Sequence, residues 1–173
     1  MKRHSFAASL VLAVLAALGL AGPVAAGEPV PFEGSFEGVV TVTVTPGSPP
    51  IASANVNATG VATDLGQFTL AIPHSFILTP TFPRTSSGFY NFVAANGDTL
   101  SASFTGLVNP IPGVPGVLAA VESANITGGT GRFAGATGDF TVERVALVNL
   151  ATGTGTTIGS FYGTISSPGA AQR

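Results

Sequence analysis

From residue 32 onward, hydrophobic and polar positions alternate with a period of two, which is the spacing of strands and not of helices. The cleanest run is Val40-Thr41-Val42-Thr43-Val44-Thr45, with Phe32 and Phe36 in the same parity. Its β-branched side chains suit a pleated, half-buried strand. Pro46-Gly47-Ser48-Pro49-Pro50 ends it, and small residues over 52–60 resume the alternation. Gly66 opens a third run in which Phe68, Leu70, Ile72, His74, Phe76 and Leu78 share one face. Pro73 lies inside that run and demands an edge position or a bulge, because proline brings no N–H to a ladder. Residues 79–87, with Pro80 and Pro83, are expected to form a loop.

Two further runs, 89–95 and 100–107, flank Asn96-Gly97-Asp98. Asn-Gly supplies the positive φ angles of a tight hairpin turn. A proline-rich loop over 110–116 follows, then a strand over 117–127 and a glycine-rich connection, Gly128–Thr137. Strands over 140–148 and 156–166 complete the chain, the last after the Gly153/Gly155 turn. The sum is an all-β domain of about eight antiparallel strands, either a barrel or a sandwich, with the barrel as the leading expectation. A barrel of roughly eight strands is just wide enough to be filled by side chains or to hold one small ligand. An outer-membrane barrel needs aromatic girdles, for which Tyr90 and Tyr162 without any Trp are poor material.

The first 26 residues read differently. A basic start, Met1-Lys2-Arg3-His4, precedes an apolar run to Leu20, and Gly22-Pro23 then break it. Val24-Ala25-Ala26 offers the small residues of a cleavage site, so 1–26 is expected to be a secretory signal peptide cut after Ala26. That leaves a single barrel domain over 27–166, a flexible C-terminal tail over 167–173, and a secreted, periplasmic or envelope location. No second apolar stretch of spanning length follows, so the mature chain is expected to lack a membrane span. Charged residues are only 8% of the chain, against the usual ~25%. The mature part carries four arginines against eight carboxylates, a net charge near −4 without a basic stripe. Nucleic acid is therefore not an expected partner. The absence of cysteine excludes a disulfide scaffold, a Cys-ligated metal and a thiol nucleophile.

The stretch from Ile126 to Phe140 carries Gly128, Gly129, Thr130, Gly131, Phe133, Gly135 and Gly138. It resembles the Gly-Gly-Thr-Gly-x-Phe signature of dirigent proteins, and allene oxide cyclases carry a related stretch. The resemblance implies an eight-stranded antiparallel barrel with an apolar cavity, often trimeric, in which the glycines serve the backbone and not catalysis. No active-site residue transfers with it. The cyclases use a glutamate in an apolar pocket beside a cysteine, and no cysteine is present here. Gly128–Gly135 lacks the Lys-Ser/Thr and the helix of a phosphate loop.

With so few charges, each one on an apolar strand face is informative. Glu122 shares parity with Leu118, Ala120, Ala124 and Ile126, and Arg144 shares it with Phe140, Val142, Ala146 and Val148. His74, the one histidine after the signal segment, lies among Ile72, Phe76 and Leu78. Buried charges are rare unless paired. Glu122, Arg144 and His74 are therefore ligand-pocket candidates, where a desolvated carboxylate could serve as acid or base. The opposite faces are also apolar, so an outer-wall ion pair or a subunit contact gives the same pattern. Register bears on the choice. A tight hairpin centred near Thr130 places Glu122 opposite Gly138, while a longer loop centred near Phe133 places it opposite Arg144. The family-like loop favours the second. Glu143 and Asp139 are expected in solvent, with Arg132 capping the glycine loop. A single histidine builds no multi-histidine zinc site, and no metal or cofactor is implied.

The function expected from these residues is a binding or structural role: an exported barrel that holds an apolar small molecule, or simply a stable envelope component. The alternative is a cyclase- or isomerase-like or dirigent-like protein acting on an apolar substrate through Glu122 and Arg144. Two apolar faces per strand also point to a homo-oligomer, with a trimer implied only by the resemblance.

Overall fold

The computed structural model describes residues 27–149 and 151–166; the expected signal peptide and C-terminal tail lie outside the described residues. Eight strands follow one another in chain order: β1 (Pro29–Thr45), β2 (Ile51–Ala62), β3 (Gly66–Ile77), β4 (Arg84–Ala94), β5 (Thr99–Pro110), β6 (Val117–Gly129), β7 (Gly138–Asn149) and β8 (Thr154–Ser166). Each pairs antiparallel with the next, and β1 pairs with β8 to close a barrel. The barrel expected from the alternating pattern is thus the one formed. Closure removes every sheet edge, which lets strands this apolar exist without exposed ladders.

Ladder partners traced around the wall from Ala94 pass through Phe68, Gly60, Phe36, Gly159, Arg144, Ala120 and Val108 to Arg84. The circuit closes ten residues away on β4, between Ala94 and Arg84. With a rise of ~3.3 Å per residue and ~4.8 Å between strands, that stagger tilts the strands by about 40°.

The interior is divided along its length. At the end carrying the β2–β3, β4–β5 and β6–β7 connections (the lower end), Phe32, Phe68, Phe92, Phe140 and Phe161 fill the barrel. Their rings meet edge-on or tilted, Phe32 and Phe161 at 4.9 Å and Phe68 and Phe92 at 5.2 Å between centroids. Such geometry adds ~0.5–1.5 kcal/mol per pair beyond area burial. The upper inner wall mixes small residues, Ala52, Ala54, Ala146 and Thr157, with Val40 and the half-buried Phe76.

Local chemistry departs from the sequence reading at four places. Residues 79–87 do not all form a loop: β4 already starts at Arg84, which donates from Nε and Nη2 to the Thr79 carbonyl across the connection. Pro73 occupies neither an edge nor a bulge. The β3–β4 ladder skips Ile72 and Pro73 and resumes at His74–Gly88 with no shift of register. A closed wall tolerates the gap because the proline ring faces outward and Pro73 is still paired with Asn55 on the other side. The Asn96-Gly97 hairpin forms, but only Gly97 has positive φ, at 89°. Its N–H bonds the Ala94 carbonyl, so a turn followed by a left-handed glycine makes the corner.

The fourth difference is the β6–β7 register. Glu122 faces Val142, and Ala120 faces Arg144, so the connection centres on Arg132, between the two registers weighed from sequence. A single 3₁₀ turn over Gly131–Phe133 makes the corner, with Gly131 at φ 57°. It drives Phe133 into the lower end, where the ring is fully buried. Arg132 stacks on Phe133 at 4.9 Å, pairs with Asp98 at 3.5 Å and donates to the Leu65 carbonyl. It ties three connections together.

Candidate functional site

Above the phenylalanine layer, four polar side chains from four strands meet inside the barrel. Strand alternation aims each of them inward: His74 from β3, Tyr90 from β4, Glu122 from β6 and Arg144 from β7. Glu122 is 0% exposed, Arg144 7% and His74 9%, so the outer-wall alternative for these residues is set aside. Arg144 and Glu122 are diagonal across the β6–β7 pair, a separation long side chains bridge readily.

Glu122 is held on both oxygens. Arg144 Nη2 donates to Oε1 at 2.8 Å, and Nε reaches Oε1 at 3.2 Å and Oε2 at 3.0 Å. The Tyr90 hydroxyl donates to Oε2. Arg144 Nη2 also contacts His74 Nε2 at 3.2 Å. Because a guanidinium only donates, Nε2 must be the acceptor there. The ring proton then sits on Nδ1, which donates to the Ile72 carbonyl at 3.0 Å. Geometry therefore assigns His74 as the neutral Nδ1–H tautomer.

The three environments shift their groups in different directions. Burial, reinforced by the Arg144 charge, holds the His74 imidazole below its ordinary range and keeps it neutral. Burial and the Glu122 charge push the Tyr90 hydroxyl well above its usual range, so it stays a donor. For Arg144, burial works against the charge, but Glu122 overcomes it and raises the value. One cation, one carboxylate and two neutral groups leave the cluster uncharged in sum.

The wall makes room by pairing each of the three sequence-derived candidates with glycine. Gly88 faces His74, Gly106 faces Glu122 and Gly159 faces Arg144. A Cβ on Gly159 would lie 2.8 Å from the Arg144 Cβ and 2.6 Å from the Phe36 ring. One on Gly106 would strike Glu122 Cγ and the Val121 carbonyl.

The structure thus brings together all three candidates from the sequence. Tyr90 was missed, although it shares parity with Gly88, Phe92 and Ala94 and is the only hydroxyl-bearing aromatic on an inner face. Ser86, two residues before Gly88, was missed as well. It is 1% exposed and its hydroxyl has no hydrogen-bond partner. The glycine motif lies at the lower corner, and its Phe133 belongs to the hydrophobic core cluster. Among the described residues no group of three or more His, Cys, Asp or Glu is placed to hold a metal.

No protein-family description matches the chain, and no curated protein does. Among the solved structures similar to it are two dirigent proteins. The pterocarpan synthase dirigent protein GePTS1 is 15% identical with a TM-score of 0.49, over 82% of this chain and 87% of its own. The pterocarpan synthase dirigent protein PsPTS1 is 13% identical with a TM-score of 0.46, over 82% of this chain and 96% of its own. Both neighbours are dirigent proteins. That is the family whose signature the stretch from Ile126 to Phe140 resembles.

Proposed function

We propose that this protein is an exported binding barrel that takes an apolar small molecule into the upper half of its interior. The observation that carries this reading is the polar cluster of His74, Tyr90, Glu122 and Arg144, which forms a floor between two unlike halves. Below it, phenylalanine rings fill the barrel; above it, Ala52, Ala54, Ala146 and Thr157 line the wall together with Val40 and Phe76. Mostly apolar walls with a few converging polar groups are the usual make-up of a small-molecule site. Export rests on the basic start, apolar run and small residues of 1–26.

Binding is favoured over cyclase- or isomerase-like chemistry because both oxygens of Glu122 are already engaged by Arg144 and Tyr90. Native mass spectrometry of the mature protein with panels of fatty acids, phenols and alkylbenzenes tests the reading. A stoichiometric complex that is weakened by filling the upper half, as in Ala54→Phe, is expected. The absence of any complex at millimolar ligand would leave a structural barrel.

We also propose that the outer wall of β5–β8 is a contact between copies of this chain. Leu107 lies opposite Val121, and Val145 lies opposite Ile158. Together with Leu147 they form an apolar face that Glu143 alone interrupts with charge, and all five are exposed. A face so poor in charge fits a second copy of itself better than a charged partner.

A further inference from the structure

The two ends of the barrel are chemically unlike. The lower connections carry Asp64, Asp98 and Arg132, and Glu28, Glu33 and Asp139 stand at the strand ends beside them. The upper connections, 46–50, 78–83, 111–116 and 150–153, hold no charged residue and no side-chain amide. Connecting segments run over the surface, so an end built without such groups is informative. What it presents instead is apolar. Phe82 and Val114 are exposed within these connections, and Ile51 and Ile77 are exposed and opposite each other just below them. Arg84, at the start of β4, is the one charged side chain bordering the four connections.

This rim is held as a unit. The Leu78 N–H bonds the Pro50 carbonyl at 2.9 Å, and the Val148 N–H bonds the Gly116 carbonyl at 2.9 Å. The Val42 N–H bonds the Gly153 carbonyl at 2.6 Å. Arg84 faces Val108 across the ladder, so the connections holding Phe82 and Val114 leave the wall side by side. Three of the four hold two or more prolines, which bring no N–H to be satisfied.

Charge then selects the partner. A protein partner is ordinarily met with about one hydrogen bond per 100–200 Å². The side chains of these connections offer only hydroxyls, and two of those are spent internally. Thr79 Oγ1 donates to the Thr81 carbonyl, and Thr152 Oγ1 is bonded to Thr154 Oγ1. A lipid interface asks instead for apolar tips, few bare N–H groups and carboxylates kept at a distance. Arg84 suits it too. Its guanidinium lies 4.2 Å from the Phe82 ring centroid, and a long cationic side chain keeps its head in water while apolar surface is covered.

We propose that the upper end of the barrel docks on a lipid bilayer surface, with Phe82 and Val114 entering beneath the headgroups and Arg84 at the phosphates. This goes beyond the ligand reading and does not rest on it.

The test is co-sedimentation of residues 27–173 with vesicles of phosphatidylcholine and phosphatidylethanolamine. Binding is expected, and it should persist in about 0.5 M salt, where surface charges are screened. Phe82→Ser with Val114→Ser is expected to weaken it roughly tenfold, about 1.4 kcal/mol, part of the worth of burying two apolar side chains. The chain has no Trp, so Phe82→Trp gives a lone reporter. Its emission is expected to shift blue on vesicles and to be quenched by brominated lipid. Tyr162→Trp, exposed on the lower wall opposite Glu33, is expected to stay unquenched. This readout stands whether or not the serine variant folds. The inference is overturned by no binding at millimolar lipid, by loss of binding in salt, or by equal quenching at both reporters. A blue shift of Phe82→Trp that grows with protein concentration and needs no lipid would assign the rim to a second copy instead, and would also overturn it.

Discussion

At the scale of single residues, the cluster behaves as one unit, because Glu122 is shared between Arg144 and Tyr90. Arg144→Met strands a buried carboxylate and should cost ~3–5 kcal/mol in urea unfolding. Adding Glu122→Gln should recover much of that loss. A change below ~0.5 kcal/mol, typical of surface positions, would contradict the buried geometry. Stability should also depend on pH from two sides. His74 is held below its ordinary 6.5, so the unfolded chain takes up a proton that the folded barrel refuses. That contribution is whole above about pH 6.5 and is lost as pH falls below it. Tyr90 is held well above 10.0, so the folded barrel keeps a proton that the unfolded chain releases. Its contribution is whole below about pH 10 and is lost at higher pH. Unfolding midpoints measured across both windows should show His74→Phe flattening the acid limb and Tyr90→Phe the alkaline limb.

At the scale of strands, the glycines facing the cluster reverse the usual effect of Gly→Ala. In a strand interior that change ordinarily stabilises by ~0.5–1 kcal/mol. At Gly106 the new methyl would meet the Val121 carbonyl at 2.6 Å and the Glu122 Cα at 2.9 Å, both backbone atoms that cannot step aside. Gly106→Ala should therefore lose ~1–3 kcal/mol, the range of overpacked cores. An unchanged midpoint would mean that the wall yields there. Strand existence was legible because Phe, Val and Thr at period two admit little else. Strand ends were less so. β4 begins at Arg84, inside a stretch that reads as a proline loop, because side-chain bonds to the Thr79 carbonyl bind the connection to the strand.

At the scale of the whole molecule, closure turns one set of faces inward and leaves the other, still apolar, to solvent. The β5–β8 wall carries Val121 at 54% exposure and Ile158 at 62%. Light scattering of the barrel, residues 27–173, at micromolar concentration should show an oligomer, and Val121→Lys with Ile158→Lys should shift it toward monomer. A monomeric wild type would remove this contact. The division of the interior also belongs to this scale. Phenylalanines far apart in sequence, from Phe32 to Phe161, gather at one end only because the ten-residue stagger aligns them there.

The chain alone determined that it would form about eight antiparallel strands, and it singled out His74, Glu122 and Arg144, since a charge on an apolar alternating face is conspicuous wherever it falls. Which face lines the barrel was beyond its reach, because both faces are apolar and period-two alternation is symmetric between them. Closure and tilt made that choice. The register between Glu122 and Arg144 likewise waited on one backbone detail, the 3₁₀ turn at Gly131–Phe133, which moves the partner of Glu122 by two residues, from Arg144 to Val142. Tyr90 and Ser86 joined the site for the same reason: neither is unusual in sequence, and only the ladders across β3–β6 place them beside His74 and Glu122. Local alternation is written residue by residue, whereas contacts across the barrel depend on the sum of every turn between them.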